Sequence, residues 1–95
     1  MVDYKLLIAL AAVIEHAGFE RAASHLGLSQ SAVSQRIKLL EARLGTAVLV
    51  RSAPPQATAA GQRLLNHVQQ VRLLERDLQA DLPQMADAAG RPRLR

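Results

Sequence analysis

Ser31, Ser34, Gln35 and Lys38 follow one another within a single eight-residue stretch, with Ser29 and Gln30 just ahead of them. At about 100° per residue, a helix would put Ser31, Ser34, Gln35, Lys38 and Ala42 on one side and Val33, Ile37, Leu40 and Leu44 on the other. The first set is polar and mostly short, and it carries a single charge, whereas an ordinary solvated face more often carries Glu and Lys. Hydroxyls and a carboxamide offer both donors and acceptors, which is the chemistry needed to read base edges. Short side chains also let a helix backbone approach those edges in the major groove of a duplex. Ser29 and the free N–H groups at the helix start can hold a phosphate. Lys38, Arg51 and Arg21 would add an attraction indifferent to base sequence. The competing reading of the same strip is a merely solvated helix surface.

These side chains need elements that position them. The pattern predicts a first helix over about Asp3 to Ala17, with Asp3 as N-cap, Gly18 as stop, and one apolar stripe of Leu6, Leu7, Leu10, Val13, Ile14 and Ala17. A short second helix from about Glu20 to Leu26 turns Ala22, Ala23 and Leu26 inward and ends at Gly27. Ser29 caps a third helix that runs to Leu44 and stops at Gly45. Ala47 to Arg51 is β-prone, and Ser52-Ala-Pro-Pro-Gln56 reads as a stiff hairpin tip because two prolines remove two donors. Thr58 caps the last helix, about Ala59 to Leu82, with Pro83 as its stop. Ala60, Leu64, His67, Val71, Leu74 and Leu78 step by four and three in a heptad seam, flanked by Leu65 and Val68. So long a helix cannot bury its whole length on the preceding sixty residues, so the seam calls for a partner, most simply a second copy. From Asp81 the pattern dissolves, and Asp87 to Pro92 reads as a hinge.

Composition agrees. In 95 residues there are 17 Ala and 16 Leu against 7 Val and 3 Ile, which favours an α-rich fold. The absence of Cys excludes disulfides, thiolate metal sites and thiol nucleophiles. One Tyr, one Phe and no Trp are too few for a base-stacking sheet or a single-strand groove. The net charge is +4 and is unevenly spread: Arg21 to Arg63 holds six basic residues and one acid, Glu41, while Glu75 to Gly90 holds four acids and one base. The basic field therefore lies on the proposed reading head. The longest apolar run, Leu6 to Ile14, has nine residues, short of the ~20 a membrane span needs. A cytoplasmic, nucleoid-associated location without a membrane partner is the default. No glycine-rich phosphate loop or nucleophile signature is present, so an enzyme is not expected and there are no candidate catalytic residues.

Phe19-Glu-Arg-Ala-Ala-Ser-His-Leu-Gly-Leu-Ser-Gln-Ser-Ala-Val-Ser-Gln-Arg-Ile-Lys-Leu-Leu-Glu-Ala-Arg-Leu-Gly45 resembles the N-terminal winged helix-turn-helix of LysR-type transcriptional regulators, and the likeness continues through Leu49-Val50-Arg51, Thr58 and Gly61. Ser34-Gln35-Arg36-Ile37, Leu49-Val50-Arg51 and Pro54-Pro55 are most similar to the branch that responds to lysine and arginine. The resemblance implies a mostly α fold, a winged helix-turn-helix over residues 1–58 followed by a dimerisation (linker) helix over 59–82 and a hinge over 83–95. It implies homodimers reading an inverted-repeat operator in double-stranded DNA, control of amino-acid transport or metabolism genes, and RNA polymerase as a further partner. Gln30, Ser31, Ala32, Ser34 and Gln35 match the family's DNA contacts; Ser29, Lys38 and Arg51 join them from the reading above. Leu64, His67, Val71, Leu74 and Leu78 form the expected dimer seam. A C-terminal effector-binding domain of two α/β lobes is not in this sequence, and Arg91 to Arg95 resembles the approach to its first strand. The piece itself is thus expected to take no cofactor or metal, with an amino-acid effector belonging to that further domain. Two departures stand out. The family's commoner order after the serine is Arg-Gln, against Gln35-Arg36 here. Many members carry an Arg near the wing tip, where Pro54 and Pro55 imply backbone contact instead of minor-groove insertion.

Several readings stay open. Arg36 and Arg43 suit structural ion pairs as well as DNA. His16 and His25 read as surface or cap residues, too isolated for a metal site. His67 reads as a solvated or hydrogen-bonded seam residue, with a pH switch as the sharper alternative. The seam leucines could pack on the further domain. A helical protein-interaction module and a nucleoid-structuring protein that binds all duplexes alike are the rival functions.

Overall fold

The computed structural model describes residues 3–88. Asp3 opens the first helix by accepting the Lys5 N–H on Oδ1 at 2.9 Å, and α1 runs over Tyr4–Glu15. Its end differs from the expected glycine stop. Ala17 takes the left-handed conformation at φ 59°, while Gly18 at φ 163° is simply extended. The cost of a left-handed alanine, roughly 1–2 kcal/mol, is offset by closing bonds. The Ala17 N–H donates to the Ile14 carbonyl at 3.3 Å and the Gly18 N–H to the Val13 carbonyl at 3.1 Å.

Helix α2 (Phe19–Leu26) begins one residue before the expected start and ends at left-handed Gly27, φ 69°. Helix α3 (Gln30–Leu44) is capped by Ser29, whose Oγ accepts the Ala32 N–H at 3.0 Å, and stops at left-handed Gly45. Two short antiparallel strands follow, β1 (Leu49–Val50) and β2 (Gln56–Ala57), with Leu49 opposite Ala57 and Val50 opposite Gln56. The Ala53–Pro54 peptide at the wing tip is cis. The architecture is a winged helix-turn-helix followed by one long helix, α4 (Ala59–Ala88).

Helix α1 is the centre of the head, lying against α2, α3 and α4. This explains a second difference from the sequence reading. Ala9, Ala11 and Ala12 are buried along with the leucine stripe, so α1 is enclosed around most of its circumference, whereas Ala17 is exposed. Val33, Ile37 and Leu40 of α3 and Val48 close the core from the other sides, and each is fully buried. Leu44, expected in the buried stripe of α3, is only half-buried at the core's edge.

Thr58 fastens the long helix to the wing. Its N–H donates to the Val48 carbonyl at 3.1 Å and its hydroxyl to the Ala47 carbonyl at 2.7 Å, while Oγ1 accepts the Gly61 N–H at 3.1 Å. A Cβ on Gly61 would stand 2.1 Å from the Val48 carbonyl oxygen, so only glycine lets helix and wing approach this closely. One turn further, Leu65 and Val68 enter the core.

The helix does not stop at Pro83. Proline removes the bond to the Gln79 carbonyl and costs about 3 kcal/mol in a helix interior. Here that carbonyl lies on an exposed stretch where water can satisfy it. Six preceding turns propagate the helix cooperatively, and Ala80, Met85 and Ala86 are strong formers. Of the expected hinge, residues 83–88 are thus helical backbone, and the remainder, with Arg91 to Arg95, lies outside the described residues. Among the described residues, no helix is long and apolar enough to cross a membrane.

Candidate nucleic-acid interface

The strip singled out on α3 faces outward. Ser31, Gln35 and Lys38 are exposed, as are Ser29 and Gln30 ahead of them, and Ser34 and Ala32 are half-buried. Behind it Val33, Ile37 and Leu40 are fully buried. The buried stripe fixes the helix's rotation and so decides which side chains project. Gln35 is exposed and Arg36 half-buried, so the glutamine stands further out of the departed pair. Ser29 Oγ is engaged with the Ala32 N–H, which removes one helix-start donor from those available to an anion.

Arg51 stands at one edge of this surface in a setting the sequence did not disclose. Its guanidinium lies over the Phe19 ring, 5.2 Å from the centroid, and its Nη2 is 3.7 Å from Glu41 Oε1. Glu41 Oε2 accepts the Val48 N–H at 2.8 Å and the Leu49 N–H at 3.4 Å. One carboxylate thus ties α3, β1 and Arg51 together. Phe19, Gln30, Ser31, Ser34 and Arg51 line an open groove of about 630 Å³. A second groove, between the α1–α2 turn and the wing tip, places Arg21 opposite Ser52, Pro54 and Pro55. Glu41 and Phe19 were missed as site residues. The available signal was that Glu41 is the one acid in the basic stretch from Arg21 to Arg63.

Other candidates fall elsewhere. Neither ion pair among the described residues, Glu41–Arg51 or Glu15–Arg72, involves Arg36 or Arg43. His16 and His25 are not isolated from each other. Their rings meet with centroids 4.3 Å apart, because His16 caps α1 where the last turn of α2 passes. Among the described residues no group of three or more His, Cys, Asp or Glu could hold a metal.

The expected seam of α4 divides. Leu64 and Val71 are half-buried, His67 is exposed, and Leu74 and Leu78 are 66% and 53% exposed. The face that meets the head is the neighbouring one, formed by Gly61, Leu65, Val68 and Arg72, whose Nη1 donates to Glu15 Oε2 at 2.6 Å.

The family profile described as bacterial regulatory helix-turn-helix protein, lysR family, matches residues 4–62. The chain belongs to the LysR family. Across all 95 residues it is 70% identical to the HTH-type transcriptional regulator ArgP of Pseudomonas fluorescens strain Pf0-1, covering 100% of this chain and 32% of that protein. This LysR-family chain therefore spans about a third of the length of the curated relatives it matches. Full-length LysG of Corynebacterium glutamicum with bound effector Arg superposes with a TM-score of 0.85 at 34% identity, over 90% of this chain and 30% of that one. The BenM DNA-binding domain in complex with catB site 1 DNA superposes with a TM-score of 0.73 at 29% identity, over 94% and 95%.

Proposed function

We propose that this LysR-family chain is the DNA-reading part of a transcriptional regulator that recognises a specific double-stranded operator as a homodimer. The observation that carries the reading is the exposed polar strip from Ser29 to Lys38 on a helix whose opposite face is locked into the core. Ser31, Ser34 and Gln35 would read base edges, with Gln30 and Ala32 beside them. Ser29 and Lys38 would meet phosphates, and Arg51 would supply charge at the wing. The likeness to a DNA-bound BenM domain supports this docking. Leu74 and Leu78, with Leu64, His67 and Val71, would pair with the same face of a second copy, setting two heads on an inverted repeat.

By its likeness to ArgP and to arginine-bound LysG, the whole protein would control amino-acid transport or metabolism genes in response to a basic amino acid held in a further domain, with RNA polymerase as a partner. The regulator reading makes an enzymatic role unnecessary.

The test is selection of bound duplexes from a random pool, followed by titration over salt. A defined inverted repeat should emerge, and affinity should fall steeply with salt. Ser34→Ala or Gln35→Ala should lose discrimination between duplexes, by about 1–3 kcal/mol at the base pair each reads. Equal losses on all sequences would reject those two as base readers. Equal affinity of the parent chain for all duplexes would favour a nucleoid-structuring protein. No duplex binding by the chain would favour the interaction module.

A further inference from the structure

Arg51 differs from the other cations of the head in being fixed before any ligand arrives. Phe19 supports one face of its guanidinium, at 5.2 Å from the ring centroid. Glu41 restrains it from the side, and Glu41 is itself held by two backbone N–H groups of β1 and its approach. Yet the restraint leaves Arg51 chemically unspent. At 3.7 Å the Glu41 contact is longer than a hydrogen bond, and the arginine side chain is 44% exposed. Its fork of donors therefore opens into the groove whose other wall carries Gln30, Ser31 and Ser34.

A cation immobilised in advance loses little side-chain entropy on binding, which suits a target that is always present. Base edges change with sequence, whereas backbone phosphates do not. A phosphodiester also matches a guanidinium fork in charge and geometry. Resting on the duplex-reading function above, we propose that this groove seats one backbone phosphodiester in each half-site, held by Arg51, with Phe19 and Glu41 as positioning residues for that arginine.

The experiment uses the 95-residue chain and the duplex obtained by selection, prepared as a series in which one phosphate at a time is replaced by a neutral methylphosphonate. Neutralising either of two symmetry-related phosphates, one in each half-site, should weaken the parent chain roughly tenfold, as expected for one lost hydrogen bond to a charged group. Arg51→Gln removes the contact from both half-sites of the homodimer, so it should lose roughly the square of that factor on the unmodified duplex, lose nothing more at either phosphate, and reduce the salt slope by about two. Arg51 is exposed, so this variant should keep the parent's circular dichroism and melting behaviour. Glu41→Gln retains an oxygen for the Val48 N–H but releases the guanidinium, so it should blunt the sensitivity at those two phosphates and leave the others intact. Phe19→Leu should do the same, and Phe19→Tyr, which keeps the ring, should restore it.

The proposal is overturned if Arg51→Gln remains sensitive at every phosphate that matters to the parent chain. It is equally overturned if that variant loses base discrimination instead, or if folded Glu41→Gln and Phe19→Leu keep the full Arg51-dependent sensitivity. Failure of the parent chain to bind any duplex would overturn the functional reading as well, whereas a sharp operator with no Arg51-coupled phosphate would overturn this inference alone.

Discussion

The two halves of α4 are built from the same kinds of residue and meet opposite fates. In the first half, Leu65 and Val68 are buried and Gly61 touches the wing backbone. In the second, Leu74, Leu78 and Leu82 are each about half exposed or more. The head extends along the helix only as far as Arg72, where Glu15 at the end of α1 reaches it. At 1.5 Å per residue, α1 is about 18 Å long and α4 about 45 Å, so α4 outruns the surface available to cover it. Apolar periodicity says that a helix has a face to bury, but not what will cover that face. Two stripes run side by side here. One completes the core of the head, and the other stays exposed.

The largest effect that would sharpen this contrast is truncation on each stripe. Leu65→Ala should lower the unfolding free energy by about 2–5 kcal/mol, because it opens a cavity in the core. Leu74→Ala combined with Leu78→Ala should stay within about 0.5 kcal/mol of the parent at concentrations where the chain is monomeric, yet abolish the self-association that equilibrium sedimentation should detect in the parent. Chemical denaturation followed by circular dichroism supplies the first comparison. Equal destabilisation by both changes would erase the distinction between the stripes.

A smaller effect should come from the joint between helix and wing. Gly61→Ala drives a Cβ into the Val48 carbonyl oxygen, and backbone cannot give way as a flexible side chain would. The expected loss is about 1–3 kcal/mol, and chemical shift changes should concentrate at β1 and the first turn of α4. Changes spread evenly along α4 would break the picture of a localised joint. The smallest effect belongs to Glu15→Gln. Both partners of its pair with Arg72 are well exposed, so the cost should be below about 1 kcal/mol and should shrink further in high salt. A salt-independent loss of several kcal/mol would mean that the pair, not the Leu65 and Val68 packing, holds head and helix together.

Much of the candidate site was readable in the sequence. Ser29 and Thr58 act as the caps their types suggested, and the wheel of α3 put Ser31, Gln35 and Lys38 outside and Val33, Ile37 and Leu40 inside, as the structure has them. The differences have separate causes. Gly18 reads as the left-handed stop of α1, yet Ala17 takes that conformation, with the turn closed by the Ala17 N–H on the Ile14 carbonyl and the Gly18 N–H on the Val13 carbonyl. Pro83 was expected to end a helix that continues past it. Phe19 and Glu41 carry no role in the sequence reading, and the structure sets both against Arg51.

From the residues alone came the helices, their caps and the outward strip of α3. Each depends on groups within about four positions of one another, a range over which helical geometry is nearly fixed. Only the folded chain decided which apolar stripe of α4 turns inward, that Arg51 lies between an aromatic ring and a carboxylate, and that Arg72 meets Glu15 across 57 residues. Those arrangements follow from how close-packed elements settle against one another, and no local pattern of residue types records that outcome.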